Sequence, residues 1–280
     1  MSTQKLIAIS DLAKTTNLED FYGANQPLRA SIKGESLIFD YIFHPKESES
    51  LIIFLPSAQE PPRKQQPYFY RWTYSLFLSE DILCVADPTA YLDEAILGGW
   101  LLGTRDCWAL EEIIGHIRSL VEQKKYKNII FSGSSMGGFN ALQAATFAES
   151  QWGNEIRVRF IAENPQLSLT RYQYSLDLLA KTIWNTQNLK AIPRDQLSRI
   201  EVIELMEELN VIPKGYVVFK ESDDHHYKIQ KPILDAFLAK KNSQAIQCST
   251  IAYQEDDSGH TPISLKHFQD LVRLATEKTT

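Results

Sequence analysis

The chain has 280 residues, of which 44% are hydrophobic and 23% are charged, and its formal net charge at pH 7 is −6. This composition can bury a sizeable core, so it excludes a disordered chain and a repeat array. The acidic balance lacks the basic field that attracts a phosphate backbone, so we expect no nucleic-acid partner.

The first 34 residues precede the regular pattern of elements and are predicted to form an N-terminal extension. Their apolar stretch, residues 6–9, is too short for a signal-peptide core. No later stretch approaches the roughly 18 apolar residues that a membrane span requires. The cysteines Cys84, Cys107 and Cys248 have neither a disulfide-framework pattern nor a zinc-ligand spacing. We therefore expect a cytoplasmic protein without a membrane span.

From residue 35 onward, short apolar runs alternate with longer segments of helical periodicity. The run 36–45 alternates polar and apolar residues, which favours an antiparallel strand or an edge strand with one solvated face. Buried strands are predicted over 51–57, 82–88, 128–134, 157–163, 215–222 and 247–254. Helices are predicted over 104–125, 137–149, 227–241 and 264–278. This alternation predicts an α/β fold with a mostly parallel central sheet and helices on both faces.

Residues 165–213 interrupt this rhythm with helical patterns and are too long for a simple crossover connection. We predict a helical insertion that caps one edge of the sheet. The chain has no internal repeat and no Pro/Gly/Ser-rich linker, so residues 35–280 are predicted to form a single domain.

The most informative motif is G-x-S-x-G, formed by Gly133, Ser135 and Gly137. It lies between an apolar strand and a helix, which is the setting of a nucleophile elbow. The sharp turn needs small neighbours, and the glycines, including Gly138, meet that need. The Ser135 hydroxyl would project at the carboxyl end of the sheet, beside the N–H of Met136 as an oxyanion donor. A phosphate-binding loop is a poorer interpretation because its lysine is absent.

A serine nucleophile needs a base, and in this arrangement an acid and then the base follow it along the chain. His260 lies in a polar loop between the last predicted strand and the last helix, and we predict that it is the base. His267 falls inside the helical pattern, so we interpret it as a packing or surface residue.

The strand 215–222 ends in a cluster of acids and histidines, Asp223, Asp224, His225 and His226. We predict that Asp224 orients the base, because a triad acid usually lies a few residues beyond the strand end, and Asp223 is the alternative. Other acids close to the base in sequence are Glu255, Asp256 and Asp257.

The same cluster has the chemistry of zinc or manganese ligands. Adjacent residues rarely direct both side chains to one ion, and the sequence has no H-x-H or H-E-x-x-H companion. We therefore predict no metal, and we expect His225 and His226 to line the substrate pocket or to cap the following helix.

A second oxyanion donor is expected from the loop after strand 51–57, where the backbone N–H groups of Ser57 and Ala58 are candidates. The H-G-G-G stretch of many lipases is missing from this loop. Asp87 and Trp100 follow at the same edge of the sheet, and we predict that they line the substrate pocket.

With Ser135, Asp224 and His260 in this order, the chain resembles the α/β-hydrolase superfamily over roughly residues 35–280. The resemblance implies an α/β-hydrolase fold and a Ser-Asp-His triad. Shorter phrases are similar to bacterial α/β-hydrolase-like proteins associated with capsule and surface-glycan biosynthesis, some of which are O-acetyltransferases. They are ADPT near Asp87, GGWLLGT near Trp100, GSSMGGFNAL around Ser135, ENPQLSL near Pro165 and the DDHH turn.

These residues predict a serine-dependent enzyme that hydrolyses a small-molecule carboxylic ester through an acyl-enzyme on Ser135, without a metal or cofactor. The alternative is an O-acetyltransferase that takes its acyl group from acetyl-CoA or another donor. It would act on a glycan hydroxyl, with Tyr172 or Trp184 stacking on the sugar. A third hypothesis is a non-catalytic binding protein of the same fold, whose contact surface is the aromatic segment 68–75. The sequence leaves the oligomeric state open.

Overall fold

A computed structural model describes residues 27–153, 156–252 and 259–277 of the chain. Its strands are β1 (Leu28–Lys33), β2 (Ile38–His44), β3 (Ser50–Phe54), β4 (Asp81–Val85), β5 (Asn128–Ser134), β6 (Arg157–Glu163), β7 (Gly215–Lys220) and β8 (Ile246–Ile251). They form one sheet in the order β1-β2-β4-β3-β5-β6-β7-β8. β2 runs antiparallel to both of its neighbours. All other neighbouring pairs are parallel, so the sheet is mostly parallel, as predicted.

The α-helices of the described residues are α1 (Ala109–Lys124), α2 (Met136–Trp152), α3 (Asp177–Trp184), α4 (Val202–Glu208), α5 (Lys231–Lys241) and α6 (Leu265–Thr276). A π-helical turn, His226–Gln230, leads directly into α5. None of the helices in the described part of the chain combines the length and apolar character that a membrane crossing needs.

The helices cover both faces of the sheet, because neighbouring residues of the central strands face opposite sides. In β3, Leu51 and Ile53 belong to the larger apolar cluster, to which α1 and α2 contribute. Ile52 and Phe54 belong to the second cluster, which Phe268 of α6 helps to close. The continuous apolar run of β3 thus reflects burial on both faces.

The segment between β6 and β7 is helical, as its pattern indicates. It contains α3, α4 and three short 3₁₀ turns, and Arg199 anchors it to the body of the protein. The buried Arg199 guanidinium donates to the backbone oxygens of Leu102, Thr104 and Arg105. The single-domain organisation of residues 35–280 stays a prediction.

Two boundary predictions are wrong. β1 pairs with β2, so the sheet begins at Leu28 rather than after residue 34. Its sequence alternates buried Leu28 and Ala30 with more exposed residues, the pattern of a strand with one buried face. β8 is an edge strand whose middle residues, 247–250, are exposed, so it is not the buried strand that its apolar residues indicated. Residues 1–26 lie outside the described residues.

Candidate active site

Ser135 occupies a sharp turn between β5 and α2. Its backbone has φ 54° and ψ −118°, a conformation that is rare for a residue with a side chain. Its N–H donates to the carbonyl oxygen of Glu163 at 2.8 Å, and its carbonyl oxygen accepts from Phe139 N at 3.0 Å. These bonds hold the turn in place, so Ser135 lies at the carboxyl end of the parallel strands.

The glycines around Ser135 are required by close backbone approach. A Cβ on Gly133 would lie 2.4 Å from the carbonyl carbon of Gly137. A Cβ on Gly138 would lie 3.0 Å from the carbonyl oxygen of Glu163. The turn therefore has the geometry that the motif predicts.

Asp223 and two histidines lie together at the carboxyl end of β7. The Nδ1 atom of His226 is 2.8 Å from Asp223 Oδ1, and the Nδ1 atom of His260 is 2.5 Å from Asp223 Oδ2. The two imidazoles stack, with ring centroids 4.6 Å apart and an interplanar angle of 19°. Asp223 and His226 are buried, whereas the side chain of His260 is 47% exposed.

The structure places Asp223, the alternative acid, beside His260, and it does not place Asp224 there. Asp224 is exposed and pairs with Lys228 at 2.8 Å, away from the histidines. The reason is local, because Tyr227 N donates to Asp223 O and a helical turn starts at Asp223. Successive side chains on a helical turn point about 100° apart, so only one of the two acids can face His260. The other acids considered, residues 255–257, lie outside the described residues.

A cavity of about 860 Å³ lies in front of the turn and contains both Ser135 and His260 in its lining. Ser57, Ala58 and Trp100, three of the residues predicted to surround the substrate, also line it. Further lining residues are aromatic or apolar, among them Tyr70, Tyr172, Tyr174, Leu176, Leu179 and Pro262. The nucleophile and the base predicted from the sequence therefore share one cavity.

The other predicted pocket residues lie elsewhere. Asp87 is buried beneath the loop that carries Trp100, where it accepts from Thr89 N at 3.0 Å and Gly99 N at 2.6 Å. His225 and His226 are not among the cavity-lining residues. The His226 ring contacts Asp223, and the His225 ring packs against Tyr172, which does line the cavity. Trp184, considered as a sugar-stacking residue, is buried.

Comparison with solved structures finds proteins of the same architecture. The capsule O-acetyltransferase of Neisseria meningitidis serogroup A matches 90% of this chain and 96% of its own, with 16% identity and a TM-score of 0.62. An S-formylglutathione hydrolase from Agrobacterium tumefaciens matches 90% and 95%, with 15% identity and a TM-score of 0.57. The Pyrococcus horikoshii acylaminoacyl peptidase matches 86% of this chain and 39% of its own, with 14% identity and a TM-score of 0.53. The chain has the α/β-hydrolase fold.

No protein-family profile matches the sequence of this chain, and no curated protein sequence matches it either.

The ionisation of the site follows from burial and hydrogen bonding. Burial raises the pKa of Asp223, but hydrogen bonds from His226 and His260, with their charges, outweigh it and hold the pKa well below its usual range. Burial lowers the pKa of His226, against the opposing effect of Asp223. At neutral pH the Asp223 carboxylate is therefore ionised, and each imidazole donates to it through Nδ1.

Sequence reasoning did not identify Gln166, which contacts the nucleophile. Its Nε2 donates to Ser135 Oγ at 3.0 Å and lies 2.9 Å from His226 Nε2. Its Oε1 accepts from Trp100 Nε1 at 3.2 Å, which sets the orientation of the amide. The available signal was its place just beyond β6, at the same sheet edge as Ser135.

Of the predicted oxyanion donors, Met136 directly follows Ser135 in the chain, and Ser57 and Ala58 line the same cavity as Ser135. Met136 is the first residue of α2, where backbone N–H groups and the helix dipole favour negative charge. Gly98, which follows β4, lies close to both Met136 and Ala58, because a Cβ on Gly98 would lie 2.7 Å from Met136 Sδ and 2.9 Å from Ala58 Cβ. The roles of Met136, Ser57 and Ala58 as donors stay predictions.

The sequence analysis also did not identify the buried ion pair between Arg71 and Glu163. Both nitrogens at the end of the Arg71 guanidinium donate to the carboxylate of Glu163, which also accepts from Ile263 N at 2.9 Å. The carbonyl oxygen of Glu163 accepts from Ser135. One residue thereby links the nucleophile turn to the segment that follows His260.

Asp223, His226 and His260 also have the chemistry of metal ligands, and their donor atoms lie within 4.8 Å of one another. In the structure each imidazole Nδ1 lies instead at hydrogen-bond distance from one carboxylate oxygen of Asp223. Such an arrangement suits proton transfer. Metal independence stays a prediction.

Proposed function

We propose that this α/β-hydrolase is a serine acyl-transfer enzyme that hydrolyses a carboxylic ester through an acyl-enzyme on Ser135. The proposal depends on one observation, the shared cavity that contains the strained Ser135 turn and the His260 imidazole paired with Asp223. A strained nucleophile and an oriented imidazole facing the same space are the parts that acyl transfer requires.

In the first step, Ser135 Oγ forms a bond to the ester carbonyl carbon while its proton passes to His260 Nε2. Asp223 holds the Nδ1–H of the imidazole and stabilises the cation that forms. The N–H groups of Met136 and of Ser57 or Ala58 would stabilise the oxyanion. When the tetrahedral intermediate collapses, the bond to the alcohol oxygen breaks and His260 returns the proton to the leaving alkoxide.

In the second step, water attacks the acyl-enzyme and gives its proton to His260. The acid leaves when the bond to Ser135 Oγ breaks and His260 protonates the serine. The cavity of about 860 Å³ provides room for a small acyl group and an alcohol portion.

The test is covalent labelling with a fluorophosphonate probe, followed by turnover of p-nitrophenyl esters of increasing acyl length. We expect the wild-type protein to be labelled and Ser135→Ala to be inert. An unlabelled wild type would overturn the proposal and would favour the non-catalytic binding protein. Equal labelling of Ser135→Ala would also overturn it, because the reactive nucleophile would then be another residue.

The second candidate is an O-acetyltransferase that passes the acyl group to a carbohydrate hydroxyl instead of water. It is supported by the end-to-end structural likeness to a capsule O-acetyltransferase. It is also supported by the aromatic rings of Tyr172 and Tyr174, which contact each other at the cavity with centroids 5.5 Å apart. Aromatic faces of this kind suit the apolar face of a sugar.

Transfer is tested by supplying acetyl-CoA or p-nitrophenyl acetate together with glycan acceptors. Acetylated glycan detected by mass spectrometry would favour the transferase. Release of free acetate alone would favour hydrolysis.

A further inference from the structure

We propose that Gln166 and His226 form a second arm of the catalytic site, in which Gln166 orients the Ser135 hydroxyl and His226 positions both Gln166 and Asp223. This inference rests on the proposed acyl-transfer function. It assigns different tasks to the two histidines that share one carboxylate.

The hydrogen-bonding capacity of Gln166 fits its neighbours in one way. A glutamine amide has one acceptor oxygen and two N–H donors. The indole N–H of Trp100 can only donate, so it must point at Oε1, and Nε2 then faces Ser135 Oγ and His226 Nε2. Both N–H groups have an acceptor only if His226 Nε2 carries no proton.

That requirement agrees with the other side of the His226 ring. Its Nδ1 lies 2.8 Å from Asp223 Oδ1, an ionised acceptor, so the proton of the neutral imidazole is on Nδ1. Burial also favours the neutral ring, because His226 is 1% exposed. The direction of every hydrogen bond from Asp223 to Ser135 through His226 and Gln166 is therefore determined.

The donation from Gln166 constrains the nucleophile. It occupies one lone pair of Ser135 Oγ and leaves the hydroxyl proton to point in another direction. The cavity that contains His260 offers that direction. As Oγ loses its proton to His260, negative charge develops on it and the hydrogen bond from Gln166 becomes stronger.

The exposure of the two imidazoles agrees with a role in proton transfer for His260 and a positioning role for His226. His260, with a half-exposed side chain, faces the cavity and can exchange its proton with substrate and leaving group. His226 is enclosed and already uses both nitrogens. It is a positioning residue, whereas Gln166 touches the reacting oxygen itself.

The test compares Gln166→Met with a matched control, Gln143→Met. Methionine keeps the approximate volume of glutamine and removes the N–H donors. Gln143 is also fully buried, and its Nε2 donates to Ser198 O at 2.8 Å. It lies in α2, about two helical turns beyond Ser135. The control therefore measures the general effect of removing a buried glutamine hydrogen bond.

We expect Gln166→Met to lower kcat for a p-nitrophenyl ester, and the rate of fluorophosphonate labelling, about 100-fold with little change in KM. In labelling, the Oγ–P bond forms, the P–F bond breaks, fluoride leaves and the Ser135 proton goes to His260. Gln143→Met should label at the wild-type rate even if its melting temperature falls as far as that of Gln166→Met.

His226→Phe keeps the ring volume and the stack but removes both hydrogen bonds. Because His226 acts through Gln166 and Asp223, its effect should depend on Gln166. We therefore expect the labelling rate of the double variant Gln166→Met/His226→Phe to fall by much less than the product of the two single losses. The variant His226→Asn, which retains an N–H for Asp223, should recover part of the activity.

The inference would be overturned if wild type is labelled and Gln166→Met is labelled at the same rate. It would also be overturned if Gln166→Met and Gln143→Met lose labelling rate equally. Independent, multiplicative losses in the double variant would overturn the role of His226. Failure of the proposed function has a different signature, because wild type would then not be labelled at all.

Discussion

The Asp223 carboxylate is enclosed, and each of its oxygens lies against one imidazole nitrogen. Asp224, the next residue, projects into solvent beside Lys228. One peptide unit thus separates a buried acid that contacts two imidazoles from an acid on the surface. Functional assignment within such a pair depends on the direction of the side chain rather than on residue type.

Substitution of these two acids gives a direct test. Asp223→Asn should lower kcat/KM for a p-nitrophenyl ester by about 10³- to 10⁴-fold, because the amide no longer favours the productive tautomer of His260. Asp224→Asn should stay within twofold of wild type. Similar losses in both variants, or a larger loss in Asp224→Asn, would contradict the assignment.

A second residue-scale prediction concerns stability rather than activity. Burial of His44 in β2, assisted by the charge of Lys46, lowers its pKa to about 4. The unfolded chain has the ordinary histidine pKa of about 6.5, so it binds more protons than the folded state between these values. The contribution of the neutral His44 side chain to the free energy of unfolding is therefore fully present above about pH 6.5, and it is lost as the pH falls towards 4.

Urea unfolding of wild type and His44→Phe at pH 7.5 and pH 5 measures this effect. Wild type should lose about 1–2 kcal/mol more of its free energy of unfolding over this range than the variant does. If wild type and His44→Phe lose the same free energy of unfolding between pH 7.5 and pH 5, His44 does not contribute to the pH dependence of stability.

At the scale of elements, the β5–α2 turn combines a strained residue with glycines that admit no side chain. The turn is restrained on several sides, since Ser135 N bonds to β6 and Gly137 approaches the backbone that follows β3. Strain at Ser135 is maintained because packed elements surround it.

Gly133→Ala tests this restraint, because its Cβ would meet the backbone of Gly137 at 2.4 Å. We expect a loss of at least 2 kcal/mol in the free energy of unfolding, or a tenfold lower labelling rate, as the turn shifts. The matched control is Gly115→Ala in α1, where a Cβ meets no atom within 4 Å. It should stabilise the protein by about 0.5–1 kcal/mol, the helix-propensity difference, without affecting labelling. Wild-type stability and labelling in Gly133→Ala would contradict the account.

At the scale of the whole molecule, charge restricts the substrates. The protein carries a net charge of −6, and the described residues that line the cavity include Glu60 but no lysine or arginine. A negatively charged acyl group would enter without a lysine or arginine partner among these lining residues, so we expect the proposed hydrolysis to favour neutral esters.

This preference is measured with p-nitrophenyl butyrate and the anionic p-nitrophenyl hemisuccinate. The anionic ester should have a kcat/KM about tenfold lower at low salt, and the difference should narrow as salt screens the repulsion. Glu60→Gln should also reduce the difference in kcat/KM between the two esters. Glu35→Gln should leave that difference unchanged, because it changes the net charge equally but at a residue that does not line the cavity. An anionic ester turned over faster than the neutral one would contradict the prediction.

The sequence by itself determined the parts of this protein that depend on short stretches of chain. Alternating apolar runs and helical periods predicted a mostly parallel sheet covered on both faces, and the structure confirms it. The G-x-S-x-G pattern located the Ser135 turn, because strand, tight turn and helix are neighbours in sequence and their requirements are local.

Only the tertiary structure decided which distant side chains meet. Gln166 and Ser135 are 31 residues apart, and Gln166 and His226 are 60 apart, and they meet because parallel strands end at one edge of the sheet. The choice of Asp223 over Asp224 depended on the start of a helical turn, which composition does not reveal. The edge position of β8 and the pairing of β1 depended on strand order. Local patterns specify elements through backbone preferences, whereas contacts between elements arise from the packing of the whole chain.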